Sequence, residues 1–102
     1  MTDTTESVNY VARIRPEEGG WIVDFPDLEG CITEADTREE AIENTPDLLK
    51  RYCEAIRDTQ RIAAEYGRST SMCLPVPSEY LKSLTIEEPL KYLEITVKLD
   101  EY

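Results

Sequence analysis

Hydrophobic and polar side chains alternate along the first third of the chain. In residues 8–15, VNYVARIR, the more apolar face consists of Val8, Tyr10, Ala12 and Ile14. Residues 21–25, WIVDF, alternate in the same way, and a period of two is typical of a strand with one face in the core. The PEEGG segment between them supplies a proline with a fixed φ and two glycines that accept a positive φ. The pattern predicts an antiparallel hairpin.

A second turn and a third strand follow the hairpin. In PDLEG, residues 26–30, Pro26 pre-sets φ and Gly30 carries no steric penalty, which are the properties that a turn requires. CITEA, residues 31–35, is short and partly apolar, and it predicts a third strand.

A long helix is predicted after the third strand. Thr37 followed by Glu40 is the pattern of a capping box, and Gly67 is a natural C-terminal stop. Apolar residues then recur at steps of three and four, which predicts one buried stripe. The stripe consists of Ala41, Ile42, Leu48, Leu49, Tyr52, Cys53, Ile56, Ala63 and Tyr66.

Pro46 conflicts with a single regular helix, because proline lacks the backbone donor and costs ~3 kcal/mol in a helix interior. Either the helix kinks at Pro46, or it ends near Asn44 and restarts with Thr45 as the N-cap. The unbroken phase of the apolar stripe favours the kink.

The C-terminal third predicts a short helix and a last strand. Ser78 can cap SEYLKSL, and KYLEITVKL alternates apolar and polar residues. The predicted fold class is α+β: a small antiparallel three-stranded meander plus a C-terminal fourth strand, with one long helix packed on one face, β-β-β-α-β. Residues 1–102 are expected to form one domain, without a separate DNA-binding domain.

Charge narrows the choice of partners. The 102 residues contain 11 Lys and Arg against 22 Asp and Glu, which gives a formal charge of −11. Such a field repels phosphate backbones, so direct binding to nucleic acid is not expected. Residues 1–50 hold 13 carboxylates and 4 basic side chains. This acidic half is either a solvated face or a docking surface for a basic protein, and the candidate contacts are Asp27, Glu29, Glu34 and Asp36.

The sequence contains no recognisable catalytic, metal-binding or cofactor-binding motif. It has no His, and Cys31, Cys53 and Cys73 lack metal-ligand spacing, so they are expected to be reduced cysteines without a metal. Asp24, Asp27 and Glu29 are close in sequence but form no recognisable metal motif. Neither a nucleophile motif nor a cofactor motif is present. The N-terminal MTDTTES is neither a signal peptide nor an anchor, and a cytoplasmic location is expected.

Residues 17–44, EEGGWIVDFPDLEGCITEADTREEAIEN, resemble the N-terminal domain of HicB-like antitoxins. The turn, the Gly-Cys pair and the capped Asp-Thr occur in the family's order and spacing. Glu29, Ala35 and Pro46 depart from the usual pattern. The resemblance implies a degenerate RNase H-like fold without catalytic activity, acting as the antitoxin of a type II toxin-antitoxin pair and silencing a small basic HicA-like mRNA interferase.

An alternative function is a stand-alone oligomeric regulatory or assembly domain of the same fold. In either case a two-fold homodimer is expected, because a small sheet leaves backbone groups exposed at its edges. Val11 and Ile22, which are apolar residues opposite the predicted core face, are the expected interface residues.

Overall fold

The fold was analysed in a computed structural model that describes residues 6–68 and 74–99. The elements in chain order are β1 (Glu6–Glu17), β2 (Gly20–Asp24), β3 (Ile32–Ala35), α1 (Arg38–Glu65), α2 (Glu79–Glu87) and β4 (Tyr92–Leu99). This order confirms the predicted α+β class with a meander, a long helix and a last strand. Cys73 lies outside the described residues.

The four strands form one antiparallel sheet in the order β3-β2-β1-β4. The register pairs Tyr10 with Ile95 across β1 and β4, and Ile14 with Val23 across β1 and β2. Because directly opposed residues share a face, these pairs align the apolar positions of the strands on one side of the sheet.

α1 packs on this apolar side and completes the main core. The fully buried side chains there include Val23, Phe25, Leu49 and Leu99. Cys31 and Cys53 are buried in the same core as reduced thiols, as the sequence predicted for these two. The core therefore lies between one helix and one face of the sheet.

The opposite face of the sheet carries a second, smaller core that the sequence did not predict. α2 covers β1 and β4 there, and Val11 is 1% exposed between Leu81 and Leu84, with Tyr92 beside them. The prediction that Val11 lies on an exposed surface available to a second chain is wrong, because α2 folds back over it. Ser78 caps α2 as predicted, since its hydroxyl accepts a hydrogen bond from the N–H of Leu81.

α1 runs without interruption through Pro46. The predicted alternative, a restart at Thr45, is wrong. Pro46 cannot donate to the carbonyl of Ile42, but the hydroxyl of Thr45 donates to that carbonyl at 2.8 Å. Thr45 is fully buried. The side chain thus replaces the hydrogen bond that the proline removes, and this lowers the cost of the proline.

The last turns of α1 differ from the predicted buried stripe. The last buried residue of the helix is Ile56, and Tyr66 is 75% exposed although the sequence placed it in the core. The helix ends in a Schellman motif at Gly67, with φ 66 and a hydrogen bond from the N–H of Arg68 to the carbonyl of Ala63 at 2.8 Å. The apolar stripe therefore continues past the part of the helix that the sheet covers.

Candidate partner-binding site

The acidic turn between β2 and β3 is held in place by backbone hydrogen bonds. The N–H of Leu28 donates to the carbonyl of Phe25 at 2.8 Å, and the N–H of Cys31 donates to the carbonyl of Leu28 at 3.1 Å. Leu28 itself is buried. Two consecutive tight turns around a buried leucine therefore fix the backbone that carries Asp27 and Glu29.

Asp27 and Glu29 have different surroundings within this turn. The carboxylate of Asp27 accepts a hydrogen bond from the N–H of Ser78 at 2.8 Å, and the side chain is half-buried. Glu29 is exposed, while its carbonyl accepts a hydrogen bond from the hydroxyl of Tyr52 at 2.8 Å. Asp27 connects the turn to the start of α2, so it does not face outward as the sequence suggested.

Glu34 and Asp36 lie at the other end of β3. The register pairs Asp24 with Ile32 at the PDLEG end and Trp21 with Ala35 at the far end. Three steps along an extended strand span about 10 Å. The four carboxylates that the sequence grouped together therefore occupy two separate places, one at each end of the short edge strand.

Glu34 and Asp36 line a cleft of about 300 Å³ beside the β1–β2 hairpin. Its carboxylates are Glu17, Glu18, Glu34, Asp36 and Glu40. None of its ten lining residues is Lys or Arg, and the wall includes Trp21 and Ile22. Gly20 allows the strands to meet closely here, since a Cβ at this position would lie 2.6 Å from the carbonyl oxygen of Ala35. We call this concavity the acidic cleft.

Asp24, the first of the three carboxylates that are close in sequence, forms an ion pair with an arginine. Arg13 and Asp24 are adjacent across β1 and β2, and two hydrogen bonds join them. The Nε of Arg13 donates to Oδ1 at 3.0 Å, and its Nη2 donates to Oδ2 at 2.7 Å. This hydrogen bonding to Asp24 raises the pKa of Arg13. The pair is a fork-shaped cross-strand ion pair, and it lies away from the acidic cleft.

Within residues 6–68 and 74–99, no three His, Cys, Asp or Glu side chains converge in a way that could hold a metal ion. In the same ranges, no helix is both long enough and apolar enough to span a membrane.

Comparisons with known proteins give the family. No family model matches the chain. Antitoxin HicB 1 of Photorhabdus laumondii is 44% identical over 45 residues, which are 43% of this chain and 29% of that protein. A UPF0150 protein of Synechocystis sp. is 36% identical over 58 residues, which are 55% of this chain and 73% of the relative. The chain belongs to the family of UPF0150 and HicB-like proteins.

One chain of a solved HicA3 and HicB3 toxin-antitoxin complex also aligns with this HicB-like chain. The alignment covers 92% of this chain and 100% of that one, with 20% identity and a TM-score of 0.46. In the sequence comparison, the matched part of this chain spans less than a third of the length of the curated HicB antitoxin.

Sequence reasoning missed three members of the acidic cleft in this HicB-like chain. Glu17 is the last residue of β1, Glu18 lies in the β1–β2 turn, and Glu40 lies in the first turn of α1. The signal that could have found them is topological. In a meander, the first turn and the end of the third strand lie at the same end of the sheet. The PEEGG turn is therefore expected to lie next to residues 34–36.

Proposed function

We propose that this HicB-like chain is the antitoxin of a type II toxin-antitoxin pair and binds a small basic HicA-like mRNA interferase at the acidic cleft. The single observation that carries the proposal is the cleft itself, which combines five carboxylates with a concave shape in a chain of this family. Guanidinium and ammonium groups of a basic partner are the natural occupants of such a surface.

The charge pattern suits rapid capture of a toxin. Complementary fields raise association rates and disfavour partners of the wrong charge. An antitoxin benefits from both effects, because the toxin is harmful until it is bound. Because Glu34 and Asp36 line the acidic cleft, they are the stronger candidates among the four residues that the sequence singled out. Asp27 mainly supports the turn.

We also propose that the chain itself performs no hydrolysis. The sequence has no His to act as a general base. Asp24 is bonded to Arg13 and Asp27 to the N–H of Ser78, so these two carboxylates already have structural partners. A protein that silences a toxin by covering its active site needs only a complementary surface and no catalytic group of its own.

The first test is growth rescue. The reading frames beside the gene of this chain are searched for a small basic protein, which is then produced in a bacterial host, alone and together with this chain. We expect growth arrest by the basic protein, recovery on co-expression, and co-elution of the two proteins at low salt. Arrest that continues despite equal amounts of this chain would contradict the antitoxin function.

The second test locates the surface. We expect Glu18→Gln, Glu34→Gln and Asp36→Asn together to lower the association rate about tenfold and to weaken its dependence on salt, since charges at the rim of an interface act mainly on the on-rate. Glu79→Gln, Glu87→Gln and Glu94→Gln remove the same number of charges from exposed positions outside the cleft. Equal losses in the two variants would show that net charge alone matters, and would refute the assignment of the cleft.

A further inference from the structure

β4 forms one edge of the sheet, because in the order β3-β2-β1-β4 it pairs, among the described strands, with β1 alone. The N–H of Ile14 donates to the carbonyl of Lys91 at 2.7 Å, and hydrogen-bonded residues alternate along an antiparallel pair. The odd-numbered residues of β4 therefore bond to β1, and the even-numbered ones direct their backbone groups away from the sheet. None of the described residues provides a partner for these outward groups at positions 94, 96 and 98. A free edge of this kind can accept another strand.

The exposed side chains of this edge are symmetric about Thr96. Glu94 precedes Thr96 by two residues and Lys98 follows it by two, so the three side chains lie on one face of the strand, and all three are exposed. Glu94 and Lys98 are about 13 Å apart along the strand, which is too far for them to pair with each other. Neither forms an ion pair with another described residue. Charged residues on an edge normally prevent strand pairing, but here their signs are opposite and their positions symmetric.

An antiparallel copy of β4 brings these charges together in one register. Pairing centred on Thr96 puts Glu94 opposite the partner's Lys98, and Lys98 opposite the partner's Glu94. The outward backbone groups of positions 94, 96 and 98 then meet in three pairs, which gives about six hydrogen bonds. A shift by two residues leaves Glu94 or Lys98 opposite Thr96, and a shift by four places like charges opposite each other. Charge therefore selects the register centred on Thr96.

The apolar side of β4 fits the same register. Leu93, Ile95 and Val97 pack against the main core but remain partly exposed, whereas Tyr10 and Ala12 of the neighbouring strand are buried. With Thr96 on the axis, Ile95 lies opposite the partner's Val97, and the two side chains cover each other. The apolar face of the sheet therefore continues into the second copy, as it does from β1 to β4.

We propose that β4 is a homodimer interface, in which two copies join edge to edge around a two-fold axis at Thr96 and form one eight-stranded antiparallel sheet. The opposite edge is less suited, because β3 has only four residues and its one charged side chain, Glu34, lines the acidic cleft. Since β4 and β3 are opposite edges of the sheet, dimerisation leaves both acidic clefts open. The shared edge is smaller than the ~1,600 Å² of a standard interface, so the dimer is expected to exchange with monomer.

The first experiment is analytical ultracentrifugation of the full chain from about 10 to about 500 μM. The weight-average mass is expected to rise from 11.7 kDa toward twice that value. Thr96→Pro removes an outward N–H at the centre of the interface but no bond to β1, and an edge strand tolerates proline at such a position. We expect this variant to raise the dissociation constant at least tenfold. The matched control, Thr96→Val, loses the hydrogen bond from Asn9 at 2.6 Å but keeps the N–H, so it should dimerise like the parent chain.

A charge exchange tests the register. Glu94→Lys and Lys98→Glu each place like charges opposite each other, so each single variant is expected to raise the dissociation constant at least tenfold. Both changes in one chain restore opposite pairs, and so does an equimolar mixture of the two single variants. Both samples are expected to recover the dimer. The control Glu87→Lys, at an exposed position of α2, changes the net charge as much as Glu94→Lys does and should leave the dissociation constant unchanged.

Hydrogen exchange distinguishes this dimer from one built on another surface. Dimerisation is expected to protect the amides of Thr96 and Lys98, whereas those of Ile95 and Val97, which already bond to β1, should change little. Circular dichroism checks that every variant folds. The inference would be overturned by a chain that stays monomeric at the highest concentration or by a dimer that the single charge changes leave unaffected. A dimer in which the Thr96 and Lys98 amides stay unprotected would overturn it as well.

Discussion

Asp27 and Glu29 are separated by one residue in the same turn but have different physical roles. Asp27 accepts a hydrogen bond from the backbone of Ser78, whereas the side chain of Glu29 is exposed. We expect Asp27→Ala to lower the free energy of unfolding by about 1–2 kcal/mol, because a half-buried N–H loses its acceptor. Glu29→Ala is the control and should change it by less than about 0.5 kcal/mol. Urea denaturation measures both, and equal effects would contradict the proposed support by Asp27.

The thiol of Cys31 makes the stability of the fold depend on pH. Burial, with smaller contributions from Cys53 and Asp24, raises the pKa of this thiol from 9.0 to about 12. The folded state therefore favours the protonated thiol, and its stabilising effect is complete below pH 9 and disappears as pH rises toward 12. At about pH 10.5 we expect a loss of roughly 1–2 kcal/mol relative to pH 8.

The comparison that isolates this effect is the Cys31→Ala variant. Its own stability at pH 8 serves as the reference, so that the lost packing of the thiol does not enter. The free energy of unfolding of this variant should decline less between the two pH values than that of the parent chain. An identical decline in both proteins would show that the thiol does not titrate as its burial implies.

At the scale of elements, the continuity of α1 depends on one hydroxyl. Thr45 donates to the carbonyl that Pro46 leaves without its helical donor. We expect Thr45→Val to cost about 1–3 kcal/mol of unfolding free energy, since a buried carbonyl then lacks a partner. In a Pro46→Ala background the alanine N–H can supply the missing hydrogen bond, so the same change should cost less. Additive effects in this double-mutant cycle would disprove the compensation.

At the scale of the whole molecule, charge and apolar surface are separated along α1. The acidic cleft adjoins the first turn of this 28-residue helix, and the exposed apolar residues Ile62 and Tyr66 lie in its last turns. The two ends are about 40 Å apart at 1.5 Å per residue. Sites this distant, with no shared side chain, are expected to act independently.

This separation gives a further prediction. Ile62→Gln with Tyr66→Gln should leave the association rate with the basic partner unchanged at about 150 mM salt. Stopped-flow kinetics measure this rate for the variant and for the parent chain. A slower association of the variant would show that the partner also contacts the end of α1.

Local patterns in the sequence determined most of the fold. Alternation defined β1, β2 and β4, the turn residues separated them, and Thr37, Ser78 and Gly67 set helix boundaries that the structure confirms. These features depend on neighbours within a few residues, so they are readable in one dimension. The motif in residues 17–44 likewise carried the family resemblance without knowledge of the fold.

Tertiary structure alone decided what lies next to what. The period of the α1 stripe is the same from Ala41 to Tyr66, but the sheet ends before the helix does, so Ile56 is buried and Tyr66 is exposed. Val11 is on the outward face of β1, yet α2 returns to cover it. Asp27 and Asp36 look alike in sequence, whereas one supports α2 and the other lines the acidic cleft. Burial and proximity depend on the length and path of distant segments, and a local pattern does not contain that information.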